Sequence, residues 1–332
     1  MGLAVNSPNT KFCVSSSLLR SFLLLPALFH SGCFALEVGV APPLGGVPAY
    51  EIRAPNGELS LVIGSLHVPH GELRQPAPSV LDTARVYVVE HVESRPQAAS
   101  PQADARHLRL GPNGVTLRAD WAASLSDVDV ERLRVNLSCA TGVQTPLPLM
   151  DKLMLSRSAK LFSMIAYSPC APLGMMSRDS LLQRAADQRG VVTVALETQK
   201  AIEKRRSLLS ERVYRATLHH ALTTDVDQEF KKIVQALNDG DFESTVTINE
   251  QVVGPDEARK YYRIMVKERN QAWMAPLKIQ LNQGNAVVLV GAAHLPGREG
   301  ILALLTKSGY RIREVRLPAD DAAITSASVG DR

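Results

Sequence analysis

The chain has 332 residues, 45% of them hydrophobic, and a formal net charge of only +4. Basic and acidic residues are interleaved and aromatics make up 5%, so no stripe of Lys and Arg alternates with aromatics, and nucleic acid is excluded as an expected partner. Beyond the N-terminal segment, no apolar run approaches the length of a membrane span.

The chain opens on an export signal. Lys11 and Arg20 precede or flank the apolar stretch Phe22-Leu23-Leu24-Leu25-Pro26-Ala27-Leu28-Phe29, too short to cross a bilayer and interrupted by proline. Small residues follow, and cleavage after Ala35 predicts a signal peptide over residues 1–35, hence a periplasmic or secreted protein. Ser31-Gly32-Cys33 also ends like a lipobox, but His30 stands where an aliphatic residue is expected. Lipidation at Cys33, with the membrane tether it would add, therefore ranks second. What remains after residue 35 suffices for one large α/β domain or two modest ones.

Residues 50–66 predict a hairpin, with Asn56-Gly57 at the turn. A His- and Pro-rich loop and a short helix over 78–84 lead to the strand Arg85-Val86-Tyr87-Val88-Val89-Glu90, apolar enough for burial on both faces. Residues 94–107 carry no period and are expected to be a mobile loop. From 120 to 160 the pattern is helical with a break at Pro146 and Pro148, and 155–165 reads as a buried helix. Cys139 and Cys170 form an even pair in a chain bound for an oxidising compartment. A disulfide between them is predicted, closing a loop of about thirty residues and contributing ~3 kcal/mol; two free buried thiols are the alternative.

An amphipathic helix over 179–188, ended by Gly190, precedes a third buried strand, Val191-Val192-Thr193-Val194-Ala195-Leu196. Residues 198–281 form a charged helical insert with breaks at Asp239-Gly240-Asp241 and Val253-Gly254-Pro255, and Pro276 marks a kink or a second helix start. A strand ending at Gly291, a helix over 298–308 and a strand over 310–317 complete a domain over 36–318. The tail over 319–332 is expected to be disordered. The architecture is α/β, strands with helices between them and a large helical insertion before the last two strands.

One motif occurs twice. Gly64-Ser65-Leu66-His67 and Gly291-Ala292-Ala293-His294 each follow an apolar, β-branched run. Random placement of 21 glycines and 8 histidines yields about half a Gly-x-x-His match, so the shared strand context carries the weight. A glycine at a strand exit permits a tight turn, and the carboxyl ends of strands in open α/β sheets are where ligands bind. His67, Glu90, Glu197 and His294 all share that address. A carboxylate after a buried run must be solvated, paired or bound. Two imidazoles with one or two carboxylates suit zinc, manganese, iron or cobalt, or metal-free acid–base chemistry. Arg269 and Asn270 are either an exposed helix face or a group that holds a carboxylate or oxyanion. His70 reads as a loop residue, His91 as alternating away from Glu90, and His219-His220 as helical with no role.

These blocks resemble the TraB/PrgY/GumN family, related to the Tiki metalloproteases and more distantly to erythromycin esterase and ChaN-like proteins. The match runs through Gly64-Ser65-Leu66-His67-Val68, Val88-Val89-Glu90 and Ala195-Leu196-Glu197-Thr198. Its strongest block is Glu268-Arg269-Asn270-Gln271-Ala272-Trp273 followed by Val288-Leu289-Val290-Gly291-Ala292-Ala293-His294-Leu295-Pro296-Gly297. The resemblance covers roughly residues 50–316, is poor over 96–147, and lacks the usual aromatics of the middle helices. It implies a central mixed sheet flanked by helices and a metal-dependent peptidase-like site. His67 and His294 would bind a divalent ion (Mn, Co or Zn), with Glu90 as third ligand or base. Arg269 would hold an oxyanion or a carboxylate of a peptide or small-molecule substrate, Glu197 would orient a histidine, and Asn270 would neighbour them. Two other roles stay open, a peptide-sequestering protein without metal and an accessory factor in envelope polysaccharide production.

Overall fold

Alternating burial and the Asn56-Gly57 turn build the first hairpin of the computed structural model, which describes residues 45–92, 106–111, 114–172 and 174–320. Strands β1 (Val47–Arg53) and β2 (Leu59–Ser65) pair antiparallel, Ala49 opposite Ile63 and Arg53 opposite Leu59, with Gly57 at φ 95° in the turn. The leader over 1–35 with Cys33, the predicted mobile loop except residues 106 and 107, and the tail beyond Asp320 lie outside the described residues.

Strand β3 (Val86–Val89) follows, and then a second hairpin of β4 (Arg106–Gly111) and β5 (Gly114–Ala119), a separate two-stranded sheet. The expected loop thus ends inside β4, and strand precedes the helical region. Helix α1 (Asp127–Thr141) begins at a capping box in which Ser126 and Asp129 satisfy each other's backbone N–H, and ends at Gly142 with φ 67°. Pro146 and Pro148, expected to break a helix, instead start α2 (Leu147–Leu153), where a missing N–H costs nothing. Helix α3 (Lys160–Ala166) is shorter than the predicted buried helix. Cys139 of α1 is joined to Cys170 by a disulfide with Cα atoms 5.7 Å apart.

Helix α4 (Arg178–Arg189) leads to β6 (Val192–Ala195). The helical insert comprises α5 (Gln199–Arg206), α6 (Glu211–Thr223), α7 (Val226–Asp239), α8 (Phe242–Val253), α9 (Pro255–Tyr262) and α10 (Glu268–Asn282). A π-helical segment, Arg263–Lys267, joins the last two, and Pro276 lies within α10 rather than ending it. Strand β7 (Ala286–Gly291), α11 (Ile301–Lys307) and β8 (Arg311–Leu317) finish the fold, and Pro318, Ala319 and Asp320 remain bonded to residues 75–77. No helix among the described residues is long and apolar enough to cross a membrane.

The main sheet has the order β6-β3-β7-β2-β1-β8. Strands β6, β3, β7 and β2 are mutually parallel, while β1 is antiparallel to both neighbours, so the fold is α/β with a mixed sheet. Strand β7 is buried along its whole length, as a central parallel strand with both faces covered must be. Val62, Val88, Val288 and Val290 face the large helical layer, with Leu133, Phe162 and Trp273. Ile63, Tyr87, Val287 and Leu289 face Leu182, Ala185 and Ala186 of α4 on the other side. The third strand departs from expectation. Strand β6 lies at the sheet edge, and Val192 is 64% exposed because only β3 covers it laterally.

Candidate active site

Parallel pairing sets Ser65 opposite Gly291, so both Gly-x-x-His segments leave the same end of adjacent strands. Strands β3 and β6 run parallel to them and deliver Glu90 and Glu197 to that end. All four groups therefore meet, and Gly291 is the point of convergence. A Cβ there would lie 2.9 Å from His67 Nε2, 3.1 Å from Glu90 Oε1 and 3.5 Å from His294 Cδ2, so only glycine leaves the three side chains room to approach. The Gly291 N–H also donates to Glu90 Oε1 at 2.6 Å.

His294 is buried and its tautomer follows from its neighbours. Asn270 Nδ2 donates to the carbonyls of His294 (3.1 Å) and Glu299 (2.9 Å), leaving Asn270 Oδ1 as an acceptor 2.6 Å from His294 Nδ1. The imidazole must therefore carry its proton on Nδ1, and the Nε2 lone pair accepts from Arg269 Nη1 at 3.0 Å. Trp273 covers the ring with centroids 4.5 Å apart, and the Arg269 guanidinium lies 4.4 Å over the same indole. Burial lowers the His294 pKa to about 3; the Glu90 charge opposes that shift, and Arg269 and His67 add to it.

Arg269 and Asn270, 4% and 0% exposed, are not a helix surface. Arg269 Nη2 lies 2.5 Å from Glu90 Oε2 and 2.6 Å from Glu197 Oε1, Nε donates to Glu197 Oε1 at 2.8 Å, and Nη1 also reaches Met265 O at 3.1 Å. Met265 belongs to the π-helical segment, a local widening of the helix that recurs at functional sites. Glu197 was expected to orient a histidine; it orients the arginine instead, because β6 ends one strand further from the histidines than β3. Glu90 is held well below the usual carboxylate range. Burial works against its charge, and His67, His294 and Arg269 outweigh it.

His67 sits in a different setting, with its side chain 55% exposed. Its Nδ1 lies 3.1 Å from Asp179 Oδ1, and its Nε2 lies 3.5 Å from Glu90 Oε1. Partial desolvation opposes the charged ring, but hydrogen bonds to Asp179 and Glu90 and their charges raise its pKa well above the ordinary value. Asp179 Oδ2 also accepts from Ser65 Oγ at 2.5 Å, and the fully buried Arg178 donates to the carbonyls of Gly64 and Arg74. The first turn of α4 thus clamps the Gly64–His67 turn from both sides. Sequence reading missed this pair, since Arg-Asp at a helix start looks like ordinary capping. The only local signal was Ser177 as N-cap, which explains Asp179's place and not its partner.

His91 is a third residue whose place was not foreseen. The strand ends at Val89, so alternation no longer directs His91 away from the site. Glu90, His91 and Glu197 each offer a ligand atom within 4.8 Å of the others, a buried or half-buried group that could hold a metal ion. His91 Nδ1 is buried without a hydrogen-bond partner. On that side the Arg269 guanidinium already supplies positive charge to both carboxylates. On the other side, His67 Nε2 and His294 Nε2 stand 3.5 Å and 3.8 Å from Glu90 Oε1. Donors sharing one tetrahedral ion with bonds near 2.1 Å are about 3.4 Å apart, so each imidazole–carboxylate pair lies near that spacing. Among the described residues, only Glu90, His91 and Glu197 have three donor atoms all within 4.8 Å of one another. Each imidazole is also fixed through its other nitrogen, as ligand histidines are. One contact competes, the Arg269 N–H on the His294 lone pair. His70 accepts from the Glu72 N–H within its loop, and His220 pairs with Glu229 at 2.8 Å.

The model of the TraB/PrgY/gumN family matches residues 49–314, and the chain belongs to that family. No curated protein matches the chain, and no solved structure matches it.

Proposed function

We propose that this member of the TraB/PrgY/gumN family is an exported hydrolase that adds water to the carbonyl of a peptide or amide substrate. One observation carries the reading: the Nε2 atoms of two imidazoles, each held through Nδ1, stand 3.5 Å and 3.8 Å from one carboxylate oxygen. That set suits a divalent ion such as manganese, cobalt or zinc, held by His67, His294 and Glu90. Such an ion lowers the pKa of bound water and polarises a carbonyl.

The chain's own residues define the rest. Asp179 holds the His67 ring through Nδ1 and Asn270 holds His294 in the same way, so both Nε2 atoms stay directed at Glu90. Glu90 is ionised at neutral pH, so it accepts rather than donates. The Arg269 N–H groups are already directed at Glu197, Met265, His294 and Glu90, so the guanidinium contributes its positive charge in a buried, water-poor corner, where it acts on a developing oxyanion or a substrate carboxylate. More than half of the His67 side chain is open, and it offers the side from which a substrate enters. The apolar leader with its small-residue cleavage site supports export, as does the Cys139–Cys170 disulfide, which persists in oxidising compartments. Processing at Cys33 would add a lipid tether to the same export route.

The test is elemental analysis of the mature protein after incubation with manganese, cobalt or zinc and desalting, beside His67→Ala/His294→Ala, with peptide-pool cleavage followed by mass spectrometry. Metal near one equivalent and new fragments are expected in the wild type, and both should vanish in the variant. Full cleavage by the variant would rule the assignment out. A second reading, capture of a peptide without cleavage, draws on the Arg269 contact at His294, which completes the cluster without an ion. Stoichiometric loss of peptide with no fragments would favour it.

A further inference from the structure

The two edges of the main sheet are finished differently. Strand β8 closes one edge and carries Arg311, Arg313, Glu314 and Arg316. Charged side chains of this kind keep an edge from pairing with another chain. Strand β6 forms the opposite edge with Val192-Thr193-Val194-Ala195, which holds no charge and no proline, and Val192 is 64% exposed. Four residues are too few to template aggregation, but they suffice to hold one short peptide in register.

The register fixes which backbone groups stand open there. Leu196 N donates to Val89 O, and Val89 lies opposite Ala195. In a parallel ladder, alternate residues turn both N–H and C=O to the same side. Val192, Val194 and Leu196 therefore face β3, and Thr193 and Ala195 turn their groups outward. Among the described residues, no backbone hydrogen bond reaches Thr193 or Ala195 from that side, and neither belongs to those with a further partner. Each offers one N–H and one C=O, at the spacing of alternate strand residues, which is the pattern an extended chain pairs with. The strand is held on both faces, since Gln183 of α4 bonds the Thr193 hydroxyl at 2.9 Å and Val194 packs on the large helical layer.

The edge runs into the site. Beyond β6, Glu197 N donates to Glu90 O at 2.9 Å, so the residues that leave β6 and β3 stand side by side, and Glu197 holds Arg269. A strand added to β6 lies two strand spacings from β3, about 10 Å, a distance that about three extended residues cross. A peptide paired along β6 thus has its following residues within reach of the strand ends where His67, Glu90 and His294 meet.

We propose that the β6 edge docks the peptide substrate, which adds there as an extended strand through Thr193 and Ala195, with an apolar or β-branched residue beside Val192. It rests on the peptide-substrate reading given above and narrows it to unfolded or extended segments. Helices and paired strands have already committed the backbone groups that this edge requires.

The experiment reads amide exchange rather than turnover. Acetyl-Lys-Val-Thr-Val-Thr-Lys amide would be titrated onto the mature protein, beside the same peptide N-methylated at every residue. By NMR hydrogen exchange, the wild-type Thr193 and Ala195 amides should be open without peptide and slowed about tenfold or more with it, while Val194, bonded to β3, stays unchanged. The N-methylated peptide keeps the side chains and loses the backbone donors, so it should slow neither. Thr193→Pro removes one outward N–H and spares the pairing with β3, so peptide affinity should fall about fivefold, the scale of one hydrogen bond. Should that variant not fold, the wild-type exchange comparison decides alone. Thr193 and Ala195 amides protected in the free monomer overturn the docking edge, as does exchange that the peptide leaves unchanged. Protection that grows with protein concentration overturns it as well and assigns the edge to a second copy of the chain. Selective protection of the two amides without cleavage would instead count against the hydrolase reading and leave the docking edge standing.

Discussion

At the first Gly-x-x-His turn the imidazole of His67 is more than half exposed and bonded to the Asp179 carboxylate, whereas at the second the imidazole of His294 is buried, bonded to the neutral amide of Asn270 and packed at a tilt against Trp273. The first ring is driven toward its charged form by two carboxylates, and the second is kept neutral by burial. Both nonetheless direct Nε2 at the same Glu90 oxygen. A repeated motif thus supplies equal geometry and unequal electrostatics. One histidine meets solvent and must give up its proton before it can bind a cation; the other is a fixed, neutral ring whose lone pair is held by Arg269.

The largest test of that contrast is Arg269→Met. It leaves Glu90 and Glu197 buried without their counter-charge, which should cost about 3–5 kcal/mol in urea denaturation. A loss under about 1 kcal/mol would mean that something else neutralises the two carboxylates. Asn270→Ala removes the acceptor for His294 Nδ1 and the donor to two carbonyls, and a loss of about 1–3 kcal/mol is expected, with the same readout.

The pH response should split between the two turns in metal-free protein. Folded His294 stays neutral down to about pH 3, while the unfolded chain takes up its proton near the ordinary value. Stability therefore falls as the pH drops below 6.5, by about 2 kcal/mol at pH 5 from this group, and His294→Gln should flatten that slope. His67 acts with the opposite sign. Its raised pKa favours the folded state fully below 6.5, and that contribution is lost as the pH rises through the folded value. Melting curves of His67→Gln between pH 6 and 9 should lose this alkaline component; identical slopes in both variants would erase the contrast. The smallest effect belongs to Asp179→Asn, under about 1 kcal/mol at neutral pH because the pair is partly exposed. Its diagnostic is the His67 pKa followed by NMR, which should fall once one of the two carboxylate charges is gone, while His294 stays unmoved.

Much of the framework was readable along the chain. Asn56-Gly57 with alternation gives the first hairpin, and the apolar runs before Glu90 and Gly291 give the parallel strands that carry the site. The second hairpin was missed although Leu108 and Leu110 alternate with polar residues before a Gly-rich turn, because its charged composition resembles a loop. Strand β6 was misjudged for a different reason. Val-Thr-Val-Ala reads the same at the edge of a sheet as at its centre.

The sequence by itself determined which residues stand at the strand ends, because periodicity and turn chemistry act over a few neighbours. Only the tertiary structure decided that Asp179 reaches His67 and that Glu197 holds Arg269 and not a histidine. Protonation and pairing depend on charges and burial contributed by segments more than a hundred residues apart, and no local pattern encodes that sum.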